Sequence, residues 1–299
     1  MTARGHGRTK RPRLALLAGV VLLLVALLAA CTSKTQGQYV YDWSIFWDSV
    51  IRPSPRIVNG IWLTVAIAIS SQLIGIILGV LGAMGRLAKF RPARYAANFY
   101  VWIFRGTPLL VQIMFLYYGL LVTHIYPWPD LVVLGITLPA VIQAGIFTLG
   151  VNEGAYMTEI VRAGIISVDP GQLEAARSLG MTYPKAMRRI VLPQAARVVV
   201  PPLGNEFNNM LKTTSLLFLL AVPELFVTFT QLNGSGPTSF HPFELFLACA
   251  VWFLLLTTIW SIIQAFIERR LGRGFGGEAP PGLFDRLFGR FGSPASGAR

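Results

Sequence analysis

Negative charge is scarce in this chain: 13 Asp and Glu stand against 26 Lys and Arg in 299 residues. Only 13% of residues are charged while 54% are hydrophobic, so there is too little polar surface for an ordinary soluble domain. Cysteine is nearly missing as well. Cys31 and Cys249 are too few and too differently placed for a disulfide framework, and Cys249 lies in an apolar run where it reads as packing. No Gly-Lys dipeptide occurs, which rules out a phosphate loop of the GxxxxGK[ST] type, so the chain should not hydrolyse ATP itself. The three histidines, His6, His124 and His241, are scattered, and neither an HExxH helix nor a GxSxG elbow is present. A metal, a cofactor and an intramembrane hydrolase are therefore not expected.

What is there in abundance is long apolar runs. Several approach the ~20 residues that cross a bilayer as helix, and spans are predicted near 14–30, 58–82, 106–123, 139–162, 197–220 and 243–267. The net charge of +13 could suggest nucleic acid, but its distribution marks membrane topology instead. Arginines and lysines crowd before the first span, between the second and third (Arg86, Lys89, Arg91, Arg94, Arg105), between the fourth and fifth (Arg162, Arg177, Lys185, Arg188, Arg189, Arg197) and after the last (Arg269, Arg270, Arg273). The alternate loops hold only Lys34, Arg52 and Arg56. The positive-inside rule then puts both termini, and the loop around Glu174, in the cytoplasm of a cell-membrane protein.

Segment 1–31 has a basic start, an apolar run and Cys31; Leu28-Ala29-Ala30-Cys31 resembles a lipoprotein processing site, while the run is also long enough to stay as an anchor helix. Residues 32–56 read as an extracytoplasmic segment with Tyr39, Tyr41, Trp43 and Trp47 as an interfacial belt, closed by Pro53 and Pro55. Gly75, Gly79 and Gly82 form a small-residue stripe suited to close helix packing within the chain. Glu159 and Arg162 are spaced to pair on one helix face. Glu153 lies deeper, with no basic residue three or four positions away, and an ionisable group at such depth is a candidate for substrate handling. Asn205, Glu206, Asn208, Asn209 and Lys212 would not face lipid comfortably and point, with Thr214 and Ser215, to a hydrated path. Residues 272–299, rich in Gly, Pro and Arg, read as a flexible tail.

The organising stretch runs from Asp169 to Pro193. Asp169 can cap a helix, Pro170 suits its first turn, and Gln172 can complete a capping box. Glu174 is placed near the positive helix end, Gly180 supplies a left-handed stop, and a second helical run is expected to last until Pro193. Glu174-Ala175-Ala176, three residues, Gly180, nine residues, Ile190, one residue and Leu192-Pro193 resembles the cytoplasmic EAA loop of binding-protein-dependent ABC importer permeases. Arg105-Gly106-Thr107-Pro108-Leu109-Leu110-Val111-Gln112, the run through Tyr156, Glu159 and Arg162, and the run from Pro201 to Leu216 are similar to the polar amino acid branch of that family, though Thr213 stands where many members have Asp.

The resemblance covers about residues 57–271 and implies an all-α polytopic membrane protein of six transmembrane helices. One would be an extra N-terminal helix and five the permease core, with a cytoplasmic coupling helix inside the loop 169–193. It implies a permease subunit that is not itself an enzyme. Its partners would be an ATP-binding cassette ATPase dimer docking on Glu174, Ala175, Ala176 and Gly180, an extracytoplasmic amino-acid-binding protein, a second permease subunit and membrane lipid, with no nucleic acid. The rival is a secondary transporter coupled to an ion gradient through Glu153, Glu206 and Lys212. It gives no reason for the spacing between Glu174 and Pro193.

Overall fold

The computed structural model describes residues 39–272 except position 134. The predicted span at 14–30, the alternatives for Cys31 and the tail from 273 onward lie outside the described residues. The chain divides into two units, 1–41 and 42–299; of the first, only Tyr39, Val40 and Tyr41 are described, the two tyrosine rings meeting edge-on at 5.0 Å. All described helices belong to the second unit.

Helix α1 (Trp43–Ile51) starts on Asp42, whose carboxylate accepts from the Ser44 hydroxyl and, at 3.0 Å, from the Ser44 amide. Those two donors hold the Asp42 carboxyl below its ordinary range. Pro53 and Pro55 separate α1 from α2 (Pro55–Leu87), as their lost amides and fixed φ require. Next come α3 (Arg91–Gly106), α4 (Leu109–Met114) and, past a π-turn at Phe115–Gly119, the short α5 (Leu120–Val122). A hairpin the sequence reading did not anticipate, β1 (Leu131–Val133) with β2 (Ile136–Leu138), turns at Gly135 with φ +80°. The long α6 (Ala140–Ile166) leads to α7 (Pro170–Ser178), α8 (Tyr183–Ala186), a π-turn at Met187–Val191 and α9 (Leu192–Thr213). A 3₁₀ segment (Thr214–Leu220), α10 (Leu225–Gly234) and α11 (Pro242–Gly272) complete the described unit.

The frame is the α2–α6 pair. Gly75, Gly79 and Gly82 are all buried, and they are glycine because α6 occupies the space a side chain would need. A Cβ on Gly75 would stand 2.6 Å from Glu153 Cγ, one on Gly79 would meet the backbone of Met157, and one on Gly82 the side chain of Thr158. The fit is reciprocal: Gly150 of α6 admits Ile74 in the same way. The stripe expected from the sequence thus serves packing within the chain. On one flank Ile67, Leu149, Phe207, Leu211 and Leu217 form one apolar core; on another, Ile45, Ile57, Leu225, Phe229 and Leu245 form a second that includes Cys249.

Among the described residues two helices, Pro55–Leu87 and Pro242–Arg270, are long and apolar enough to cross a membrane unaided. Two bent pairs can each make a broken span: Arg91–Gly106 with Leu109–Val122, turned by 107°, and Tyr183–Leu220 with Leu225–Gly234, turned by 47°. The third predicted span, 106–123, coincides with the second member of the first bent pair, whose break falls at Thr107 and Pro108. Pro108 has no amide hydrogen, so the Phe104 carbonyl is released from its helical partner. Gln112 Nε2 takes it at 2.8 Å and Asn152 Nδ2 at 3.1 Å, and Asn152 Nδ2 also donates to Gln112 Oε1 at 2.9 Å. Helix α6, the fourth predicted span, has the length to cross, but its polar residues leave it short of the apolarity of α2 or α11; Gln143, Asn152 and Glu153 are buried in the bundle.

Candidate functional site

The hairpin between α6 and α9 is built by turn chemistry. Asp169 Oδ1 accepts from the Gly171 amide at 2.8 Å and so caps α7, with Pro170 at its first position. The reciprocal half of the expected capping box is missing, since the Gln172 side chain makes no return bond; the cap bonds the second amide of the helix rather than the third. At the other end Gly180 has φ +81°. Its amide donates to the Arg177 carbonyl at 3.0 Å and the Met181 amide to the Ala176 carbonyl at 3.1 Å, a pair of bonds that satisfies the last carbonyls of α7. A Cβ at Gly180 would find nothing within 4 Å, so the demand for glycine is conformational and not steric.

Glu174 and Ala175 are exposed while Ala176 is buried under the following turn. Glu174 is the fifth residue of α7, past the first turn, where the dipole contribution has largely faded; this corrects the expectation that the helix end holds it. Leu179, beside Gly180, is 85% exposed. The second helical run does not stop at Pro193 either. It passes through the π-turn at Met187–Val191, takes Pro193 into the first turn of α9 and continues to Thr213. A wide turn placed before a proline gives its ring and the unpaired carbonyl room.

The embedded polar residues do not form one cluster. Glu153 is 6% exposed, and its Oε1 has no hydrogen-bond partner; it lies against Gly75, with Gln72 in reach and Glu206 near enough for its charge to be felt. Asn205 is exposed on α9 and accepts from Gln264 Nε2 at 3.1 Å. Lys212 and Ser215 line a different cavity of about 400 Å³ with Phe226, Phe246 and Cys249. Thr214 is fully buried and its hydroxyl donates to the Leu211 carbonyl at 2.9 Å.

Glu159 and Arg162 pair at 3.0 Å as their spacing suggested, but Arg86 of α2 also binds Glu159 and Arg105 of α3 approaches it to 3.7 Å. Arg105 is stacked 5.1 Å from the Tyr156 ring centre. One carboxylate thus ties three helices, a convergence that sequence spacing alone could not reveal. Two further residues were missed. Glu224 is fully buried and caps α10 through the amides of Phe226 (3.0 Å) and Val227 (2.8 Å), and Glu244, equally buried, accepts from the Asp42 amide at 2.7 Å. An isolated acid after Pro223 at the head of an apolar run was the available signal for the first.

Comparison with known proteins agrees with this architecture. The family model described as "Binding-protein-dependent transport system inner membrane component" matches residues 73–273. The arginine transport system permease protein ArgU of Corynebacterium glutamicum is 35% identical over 256 residues, covering 84% of this chain and 79% of its own length. The histidine/lysine/arginine/ornithine transport system permease protein HisQ of Escherichia coli is 34% identical, covering 73% of this chain and 94% of its own. A crystal structure of an amino acid ABC transporter with histidines superposes with a TM-score of 0.66 at 33% identity, covering 78% of this chain and all of the other. An inward-facing MetNI methionine ABC transporter shares the fold, with a TM-score of 0.58 at 18% identity over 73% of this chain and 97% of the other.

Proposed function

We propose, from the premise that this chain belongs to the binding-protein-dependent transport system inner membrane components and is a multi-pass permease subunit of an ABC importer, that it imports polar amino acids. Hydrolysis of ATP belongs to a separate subunit in such systems. In this reading two permease subunits, identical or related, enclose a path; an extracytoplasmic binding protein delivers the amino acid; and a pair of ATPases grips the exposed face of α7. Both chain termini and the hairpin lie in the cytoplasm, supported by the crowding of arginine and lysine on that side. A reporter fused at 180 reads cytoplasmic and one at 36 extracytoplasmic; the opposite result would remove the hairpin from any ATPase.

The observation that carries the reading is the hairpin itself: a short helix capped at both ends, Glu174 and Ala175 outward, aimed by a single left-handed glycine. Two distant sites are then coupled through one two-state body, the binding protein's face and the ATPase's face. A β-branched residue at Gly180 costs ~1–2 kcal/mol in the left-handed region. That is too little to unfold the bundle and enough to re-aim α7. The Gly180→Val complex is expected to express and insert normally, to lose most transport, and to lose stimulation of ATP hydrolysis by loaded binding protein. Full stimulation and uptake in that variant would reduce the hairpin to a structural connection.

Glu153 is our candidate for substrate handling. An unpaired charge in a span costs at least ~2.5 kcal/mol on insertion scales, and an α-amino group or cationic side chain would supply the partner that its Oε1 lacks. Glu153→Gln should change selectivity or affinity for amino acids while leaving assembly with the ATPase intact. Equal uptake of acidic, neutral and basic amino acids before and after the change would sink the assignment.

A further inference from the structure

Where the hairpin meets α9, Thr182, Pro184, Lys185, Arg188 and Arg189 line a cleft of about 550 Å³. Its chemistry is one-sided. Three of the five lining residues are cations, one is a hydroxyl, and none is a carboxylate. All three cations are exposed, and none belongs to an ion pair among the described residues. Arg86 and Arg162 differ in this respect, because both bind Glu159. Three like charges held around one concavity repel each other unless an anion joins them.

The position of the cleft says what kind of anion. Arg188 and Arg189 lie in the π-turn that leads directly into α9. Leu192, one turn on, is 44% exposed and Val198 is 50% exposed, with the exposed Arg197 between them, so past the cleft the helix presents apolar side chains outward with one further cation among them. A cationic pocket followed within a turn by an outward apolar surface is arranged as a membrane boundary is arranged, with phosphate above and acyl chain below. Guanidinium groups bind phosphate oxygens in pairs through their planar fork, and two of the three cations are arginines. The volume falls in the range of small-ligand sites, ~300–1,000 Å³.

We propose that this cleft binds the headgroup phosphate of an anionic phospholipid, held by Lys185, Arg188 and Arg189 where α9 enters the bilayer. The site does not depend on which solute is carried. It sits on the segment joining α7 to α9, so its occupant braces the root of the hairpin.

The test uses the full chain assembled with its partner subunits, presented with phosphatidylglycerol or phosphatidylcholine and read by native mass spectrometry. Wild type retains phosphatidylglycerol in preference to phosphatidylcholine. Lys185→Gln/Arg188→Gln/Arg189→Gln lowers that retention about a hundredfold, the combined worth of three cations near a membrane surface. Lys89→Gln/Arg91→Gln/Arg94→Gln removes the same charge from exposed positions elsewhere on the cytoplasmic side and leaves retention near the wild-type level. Equal retention of the two lipids by wild type would overturn the proposal, as would an equal loss in both triple variants. Displacement of the lipid by saturating inorganic phosphate would reassign the cleft to a free anion. Loss of ATPase association by the cleft variant in bilayers of phosphatidylcholine alone would reassign it to a protein contact.

Discussion

The α2–α6 interface and the α7 hairpin both depend on glycine, for opposite reasons. Gly75, Gly79 and Gly82 are glycine because another helix fills the space beside them. Gly180 has open space around it and is glycine because the backbone turns left-handed there. The first kind of constraint fixes a frame, since two helices in backbone contact cannot slide without breaking many contacts. The second fixes only a direction. A permease that must move needs both: a frame that survives each cycle and a handle whose aim matters more than its stability.

The sharpest way to break that contrast is at Gly79. Leucine there drives a side chain into the Met157 backbone and should cost about 3 kcal/mol, the upper end for overpacking. A large drop in the thermal midpoint of the purified chain, with poor expression, is expected. An unchanged midpoint would mean the two helices separate easily, and the frame would be no frame. Gly180→Val should do the reverse, sparing the midpoint while abolishing coupled hydrolysis. The smallest effect is expected at Asp169. Alanine removes one cap bond, worth ~1 kcal/mol, to a nine-residue helix. Faster hydrogen exchange confined to the first turn of α7, with coupling only partly reduced, would sharpen the comparison by placing the hairpin's stability in its caps. Faster exchange spreading into α6 or α9 would blur it.

Much of the hairpin was legible because its devices are local. Asp169, Pro170 and Gly180 act within four residues of themselves, and the sequence carries their meaning without reference to the rest of the fold. The glycine stripe was legible for a similar reason, through its spacing along a single helix. What the sequence does not announce arises where a residue answers to something distant. Gln112 and Asn152 are 40 positions apart, bond each other directly, and both donate to the Phe104 carbonyl that Pro108 leaves free. Glu159 pairs with Arg162 as their spacing predicts, but Arg86 and Arg105 arrive from two other helices, which spacing along one helix does not announce. The Thr214 hydroxyl donates to the Leu211 carbonyl of its own turn, a bond its polarity does not announce. Pro193 was read as a stop because prolines usually end helices; the π-turn before it is a tertiary accommodation that no propensity encodes.

That π-turn has a geometric consequence for everything downstream. From Tyr183 to Thr213 the chain is one continuous helical rod, interrupted only by the five wide residues Met187–Val191. A π-turn inserts one residue into an α-helical register, and one residue is about 100° of rotation about the axis. The azimuth of Asn205, Asn209 and Lys212 relative to the hairpin is therefore offset by that angle from what an uninterrupted helix would give. The phase of the rod, and not its length or tilt, decides which neighbours the embedded polar face meets when the hairpin is held in place. Moving the wide turn along the rod would change where the phase slips without parting the rod, as a coupling in a drive shaft sets the angle between its two ends.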